Sequence, residues 1–185
     1  MKNGFTIIEL MLTILILSVT LSLGVPSFVN TVKNNRITSQ ANALIGAISF
    51  ARSESVKLND QDVTLCGSSD QSTCNTSQLE LGWILFADAD SNGTRNGSEV
   101  ILRIGEPLAG GNTLRLRGFG STSLISFDSR GSLSSSGTFT LCDDRGAEEA
   151  KAIVVNISGQ TRPARDDDNP TDSIVNDHGG SNVSC

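Results

Sequence analysis

The N-terminal 32 residues constrain this chain more than any other part of it. A short polar leader, Met1-Lys2-Asn3-Gly4, precedes Phe5-Thr6-Ile7-Ile8-Glu9-Leu10, and no charged residue follows Glu9 until Lys33. Leu10 to Val32 is a run of 23 uncharged residues, and a helix needs about 20 apolar residues to span a bilayer. A cleaved secretory signal has a shorter apolar core with a small-residue cleavage site behind it. Here the run is too long and its polar residue stands in front. A plain membrane anchor explains the run but leaves Glu9 without a use. An ionised carboxylate in hydrocarbon is costly, so a partner that neutralises it is expected. Cleavage after Gly4 would supply one, a free amine on Phe5.

The remaining residues, roughly 150, suit one compact domain. Residues 5 to about 57 read as one long helix. Past the apolar run, Ile37, Ala41, Leu44, Ile45, Ile48, Ala51 and Ser55 keep helical spacing, with Asn34, Arg36, Gln40, Arg52 and Lys57 off the stripe. Such a stripe packs on a sheet. Gly24 and Pro26 weaken the helix locally, since proline removes a backbone donor and crowds the preceding turn.

Beyond Asn59 the pattern shifts to period two or short apolar bursts. Strands are expected at 62–66, 82–87, 99–105, 113–117, 124–128, 138–142 and 152–157. Clusters of Gly, Ser, Asn and Asp separate them, as turns require. The polar tail, 162–185, reads as a loop whose end is tied down by Cys185. One helix followed only by strands implies an α+β fold, the helix laid across antiparallel sheet. The expected organisation is a leader at 1–4, a transmembrane and assembly helix at 5–32, and a globular domain at 33–185. That domain would comprise helix 33–57, β-rich 62–157 and the tail 158–185.

The net charge of −6 makes the chain a poor general binder of phosphate backbones, whose affinity comes mainly from Lys and Arg. With no Tyr, one Trp and seven Phe, stacking platforms for single strands are scarce. The four cysteines, Cys66, Cys74, Cys142 and Cys185, form no C-x-x-C pair and there is one His, which argues against zinc. An even count behind an export anchor points to disulfides in an oxidising compartment. Three pairings are possible; Cys66–Cys74, closing a small loop, and Cys142–Cys185, pinning the C-terminus, are favoured. No nucleophile and base stand out, so enzymatic activity is not expected. His178 reads as a solvated loop residue. Gly118-Phe119-Gly120 does not open a helix and reads as a turn. Asp88, Asp90, Asn92, Gly93 and Glu99 match the D-x-D-x-N-G-x5-E calcium loop. Its flanks read as strands, however, and turn chemistry explains the same residues. No cofactor is therefore expected, with calcium at 88–99 the one candidate.

Gly4-Phe5-Thr6-Ile7-Ile8-Glu9 resembles the prepilin signature of type IV pilins and type II secretion pseudopilins, and Pro26 falls where many members have a helix-kinking proline. Ala51-Arg52-Ser53-Glu54-Ser55, Thr64-Leu65-Cys66 and Gly82-Trp83-Ile84-Leu85-Phe86-Ala87-Asp88 resemble the GspH/FimT branch, which includes FimU-type minor pilins; Cys142-Asp143-Asp144-Arg145-Gly146 and Ile157-Ser158-Gly159 are similar to its C-terminal half.

The resemblance implies cleavage by a prepilin peptidase between Gly4 and Phe5, N-methylation of Phe5, and a Glu9 that meets a neighbour's N-terminus during assembly. It implies a single-pass inner-membrane protein with a periplasmic domain, whose partners are major and minor pilins or pseudopilins. A minor pilin would prime or cap the filament; a type II secretion pseudopilin is the alternative. Cys142–Cys185 resembles the C-terminal disulfide loop of pilins.

Relatives that serve as DNA receptors carry a glycine-arginine-x-arginine motif. Here Gln160 replaces its first arginine, leaving Arg162 and Arg165 beside Asp166-Asp167-Asp168, which repel a phosphate backbone. Arg103, Arg115, Arg117 and Arg130 would have to complete a cationic face.

Overall fold

The computed structural model describes residues 4–168 and 170–185. One helix, α1 (Ile7–Leu58), is followed by eight strands: β1 (Asp62–Gly67), β2 (Trp83–Asp88), β3 (Ile101–Gly105), β4 (Thr113–Gly118), β5 (Leu124–Phe127), β6 (Gly137–Cys142), β7 (Lys151–Val155) and β8 (Thr161–Pro163). The chain divides into two compact units at Arg36/Ile37.

In the first unit, helix persists through Gly24 and Pro26. Proline costs one backbone bond, and apolar helices tolerate that because side-chain hydroxyls re-satisfy freed carbonyls. Hydroxyls in this stretch also bond carbonyls one turn back, among them Ser18 to Leu15 and Ser22 to Val19, although neither reaches the Ser22 carbonyl that Pro26 leaves without its donor. The apolar side chains from Phe5 to Val32 are exposed.

In the second unit the strands form two antiparallel sheets, ordered β3-β2-β1-β5 and β4-β6-β7-β8. The buried stripe of α1 is Ile37, Ala41, Leu44, Ala47, Ile48, Ala51 and Ser55. It shares one apolar core with Val63, Leu65 and Leu85 from the first sheet and Leu114, Phe139, Leu141 and Ile153 from the second. Each fully buried Leu, Ile or Phe contributes about 1.5–3 kcal/mol. Alternation along the strands sends the neighbouring side chains to the opposite faces. Cys66, Ile84 and Phe86 form a small cluster there on the first sheet, and Cys142, Ala152 and Val183 on the second.

The two disulfides lie on these outer faces. Cys66–Cys74 holds the loop after β1 over the first sheet, and Cys142–Cys185 holds the C-terminal tail over the second. The tail is more than a loop. It contributes β8 and an Asn176–Asn182 bridge, and packs Ile174, Val175 and Val183 against the sheet.

Two details of the sequence-based stripe change. Ala47 is fully buried, whereas Ile45 is only partly covered. A small side chain at 47 lets the helix lie close on the sheet, and the larger Ile45 packs at the margin. At one sheet edge Trp83 pairs with Gly105 across β2 and β3, and a Cβ at 105 would fall inside the indole ring.

Candidate functional site

The N-terminal segment is built around Glu9. Thr6 precedes the first helical residue, and its hydroxyl accepts a bond from the Glu9 amide at 3.3 Å. In return, Oε2 of Glu9 accepts from the Thr6 amide and hydroxyl, both at 3.0 Å. This is a capping box, in which each residue satisfies an amide that the helix start leaves unpaired. The carboxylate thus has a local role that the signature does not reveal. Met1 to Asn3 of the leader lie outside the described residues.

The Asp88–Glu99 segment links β2 to β3, so it joins strands rather than helices. Asp88 is fully buried and accepts from the Asn92 amide (3.1 Å), the Gly93 amide (2.9 Å) and the Thr64 hydroxyl (2.9 Å). Glu99 accepts from the Ala89 and Asn96 amides at 2.8 and 2.7 Å. Asp90 accepts from the Asn92 and Asn96 side chains. Carboxylate oxygens of Asp88, Asp90 and Glu99 lie within 4.8 Å of one another. Burial pushes the Asp88 carboxyl up; the bonds from Gly93, Thr64 and Asn92 pull it back and the Glu99 charge adds to the rise. The loop's carboxylates therefore organise its own backbone amides, as Asx-type turns do.

The arginines suggested as a cationic face are separated and mostly paired. Arg115 and Arg117 project from β4, at one edge of the second sheet, and Arg162 from β8 at the other. Arg115 bonds Glu80 at 2.6 Å, Arg117 meets Asp177 at 3.3 Å and Arg130 meets Asp128 at 2.8 Å. Arg103 lies in the other sheet. Arg162 and Arg165 are exposed.

His178 is not a freely solvated loop residue. Its amide donates to the Thr138 hydroxyl at 2.7 Å, and its Nδ1 lies 3.2 Å from the same oxygen. Beside it, burial would raise the Asp177 carboxyl, but bonds from the Ser181 and Gly179 amides and the nearby Arg117 charge leave it lowered. No local pattern announces the His178 contact, because its partner Thr138 lies 40 residues away.

Arg52 lies off the buried stripe, as its position in the helix implies, but it is half-buried by distant turns. Its aliphatic stem lies between two tight turns: Gly131, after β5, and Gly159, between β7 and β8. A Cβ at Gly131 would stand 2.9 Å from Arg52 Cγ, and one at Gly159 would stand 3.0 Å from Cδ.

Among known families, residues 40–159 match the family described as type II transport protein GspH. The chain belongs to the GspH family. Two crystal structures of the type IV minor pilin FimU from Pseudomonas aeruginosa share its fold. One superposes with a TM-score of 0.57 at 18% identity, covering 72% of this chain and 91% of that one. The other gives 0.54 at 16% identity, covering 69% and 92%. No curated protein matches in sequence.

The fold of this GspH-family chain is therefore type IV pilin-like, a long N-terminal helix packed on antiparallel sheets. The family is one of structural pilin and pseudopilin subunits rather than enzymes, and membership implies association with a pilus or pseudopilus assembly machinery. Ile7–Leu58 is a helix long and apolar enough to cross a membrane.

Proposed function

We propose that the chain is a minor pilin of a bacterial type IV pilus, a subunit that primes or caps filament assembly. The observation that carries this reading is α1 itself: an apolar, exposed N-terminal stretch that opens on a single carboxylate and continues into the core of a pilin-like domain. The leader 1–4 is removed between Gly4 and Phe5 and the new amine is methylated. Before assembly residues 5–32 lie in the inner membrane, with the domain 33–185 in the periplasm. In the filament the same segment joins a bundle of neighbouring helices, where the Phe5 amine of an adjacent subunit compensates Glu9. A buried charge is tolerated when it is paired and hydrogen-bonded. DNA receptor activity through Arg162 and Arg165 is a lesser reading, since Arg115, Arg117 and Arg130 are occupied by carboxylates.

A second reading, a minor pseudopilin of a type II secretion system, is favoured by the description of the matching family as a type II transport protein. Deletion separates the two: loss of surface pili supports the pilin, and loss of exoprotein secretion alone supports the pseudopilin.

Two substitutions test the role of Glu9. Glu9→Gln preserves the capping box, because glutamine serves at that position as well as glutamate, but it removes the charge. Glu9→Ala removes both. If charge compensation drives assembly, both variants accumulate in the membrane and fail to enter filaments. Normal incorporation of Glu9→Gln beside loss of Glu9→Ala would reduce Glu9 to a helix cap.

A further inference from the structure

We propose that the pocket around Arg52 receives an acidic side chain from a neighbouring subunit of the filament. The inference rests on the reading of this chain as a filament subunit and goes beyond it by assigning a contact between globular domains.

The pocket is about 610 Å³ and is lined by Ser49, Arg52, Ser53, Val56, Gly159 and Thr161, among others. It lies against the end of α1, beside the turn between β7 and β8. The Leu133 amide donates to the Ile157 carbonyl at 2.8 Å, tying the segment after β5 to the turn after β7. Gly131 and Gly159 both have φ near +75° (75° and 73°), a conformation that glycine adopts without strain. Both also face Arg52 closely enough that a side chain at either would displace it. The two turns therefore hold the arginine stem in place before any partner arrives, which limits the entropy lost when its head binds.

The head itself is uncompensated. Arg52 Nε is buried without a hydrogen-bond acceptor, and among the described residues no carboxylate pairs with the guanidinium. Arg115, Arg117, Arg130 and Arg145 each have an acidic partner, whereas Arg52, like Arg36, leaves its Nε buried and unbonded. A half-buried guanidinium with an orphaned donor is completed best by a carboxylate, which it can take in two parallel bonds.

The surroundings favour a protein-borne carboxylate over a free anion. Val56, which lines the pocket, is 50% exposed, and Ile157, on the turn that carries Gly159, is exposed outside it. A half-buried arginine beside an exposed valine suits a protein contact, because arginine is enriched among the residues that dominate such contacts. A helical filament is built from heterologous contacts, in which unlike patches of successive subunits meet. Arg52, its stem fixed and its Nε unbonded, offers the cationic half of such a contact, and a carboxylate of the adjacent subunit completes it.

The test uses the full-length chain in cells that assemble the filament. Arg52→Met keeps the stem between Gly131 and Gly159 and deletes the charge. Arg103→Met, at an exposed arginine, is the control. Incorporation is read as the fraction of chain in sheared filaments, with both disulfides confirmed by thiol labelling. Arg52→Met is expected to lower that fraction about tenfold, the size of a strong single-residue contact, and Arg103→Met to leave it unchanged.

Arg52→Lys places an amine in the pocket that a carbodiimide can couple to a touching carboxylate. Peptide mapping is expected to find position 52 joined to an Asp or Glu of another subunit. Wild-type incorporation of Arg52→Met together with no such cross-link would overturn the proposal. So would a cross-link within the same chain, or loss of retention on immobilised DNA by Arg52→Met with incorporation intact, which would assign the pocket to phosphate. Should the wild-type chain itself be absent from filaments, the subunit reading fails first and the proposal with it.

Discussion

Removing the two disulfides separately should destabilise the globular unit by clearly different amounts. Cys66–Cys74 closes a sequence separation of 8 and Cys142–Cys185 one of 43. In the loop-closure model the stabilisation grows with the logarithm of loop length, giving about 2.5 kcal/mol for the first and about 4 kcal/mol for the second. The longer loop also carries β8, the Asp177–Arg117 ion pair and the apolar contacts of Ile174, Val175 and Val183. Losing the tether at its last residue frees the tail to fray, which adds to the larger loss. Alanine at both members of each pair avoids placing a hydroxyl where Cys66 and Cys142 are each 2% exposed. Trp83, the single tryptophan, is 7% exposed and reports on the sheet core in urea unfolding of the full chain in detergent. With a urea slope of about 2 kcal/mol per molar, the midpoint should fall by about 1.2 M for Cys66→Ala/Cys74→Ala and about 2 M for Cys142→Ala/Cys185→Ala. Equal falls, or a larger fall for the short loop, would refute the reasoning that the tail's tether is the principal covalent brace.

Three further outcomes follow from the geometry. Gly105→Ala puts a methyl against the Trp83 indole and should cost about 1–3 kcal/mol, read as a lower thermal midpoint with altered tryptophan emission. Asp177 has a folded-state carboxyl below its usual value, so its contribution is complete at neutral pH and is lost as the pH falls from about 4 through the lowered value; Asp88, raised by burial, acts in the opposite sense and is eased by protonation over the range above about 4. Comparing the acid titration of stability in Asp177→Asn and Asp88→Asn with wild type should show these contributions with opposite signs. Calcium is expected to leave the thermal midpoint unchanged, because the Asp88–Glu99 carboxylates already order the loop through its own amides; a calcium-dependent rise of several degrees would overturn that account.

The regular elements were legible where local pattern determines them. The long helix followed from an uncharged run joined to a 3.6-residue stripe, and seven strands from alternation between turn clusters. β8 was not, because Thr161-Arg162-Pro163 is three residues long and contains a proline, a residue admitted to strands mainly at sheet edges. Side-chain roles that depend on distant partners were hidden for the same reason. Nothing near Arg52 in sequence announces Gly131 and Gly159, and nothing near His178 announces Thr138. The Glu9 capping box was within local reach, as Thr6-x-x-Glu9 has the required spacing. The same carboxylate also stands at the head of a membrane-length apolar run, a setting that points first to a partner outside its own helix turn.

The central claim, that this chain works as a processed filament subunit, is tested most directly by mass spectrometry of the subunit recovered from sheared surface filaments. The account predicts a chain that begins at Phe5, carries one methyl group on its N-terminal amine and retains both disulfides. Filaments containing a chain that still begins at Met1, or filaments lacking the chain while folded protein accumulates in the membrane, would contradict it.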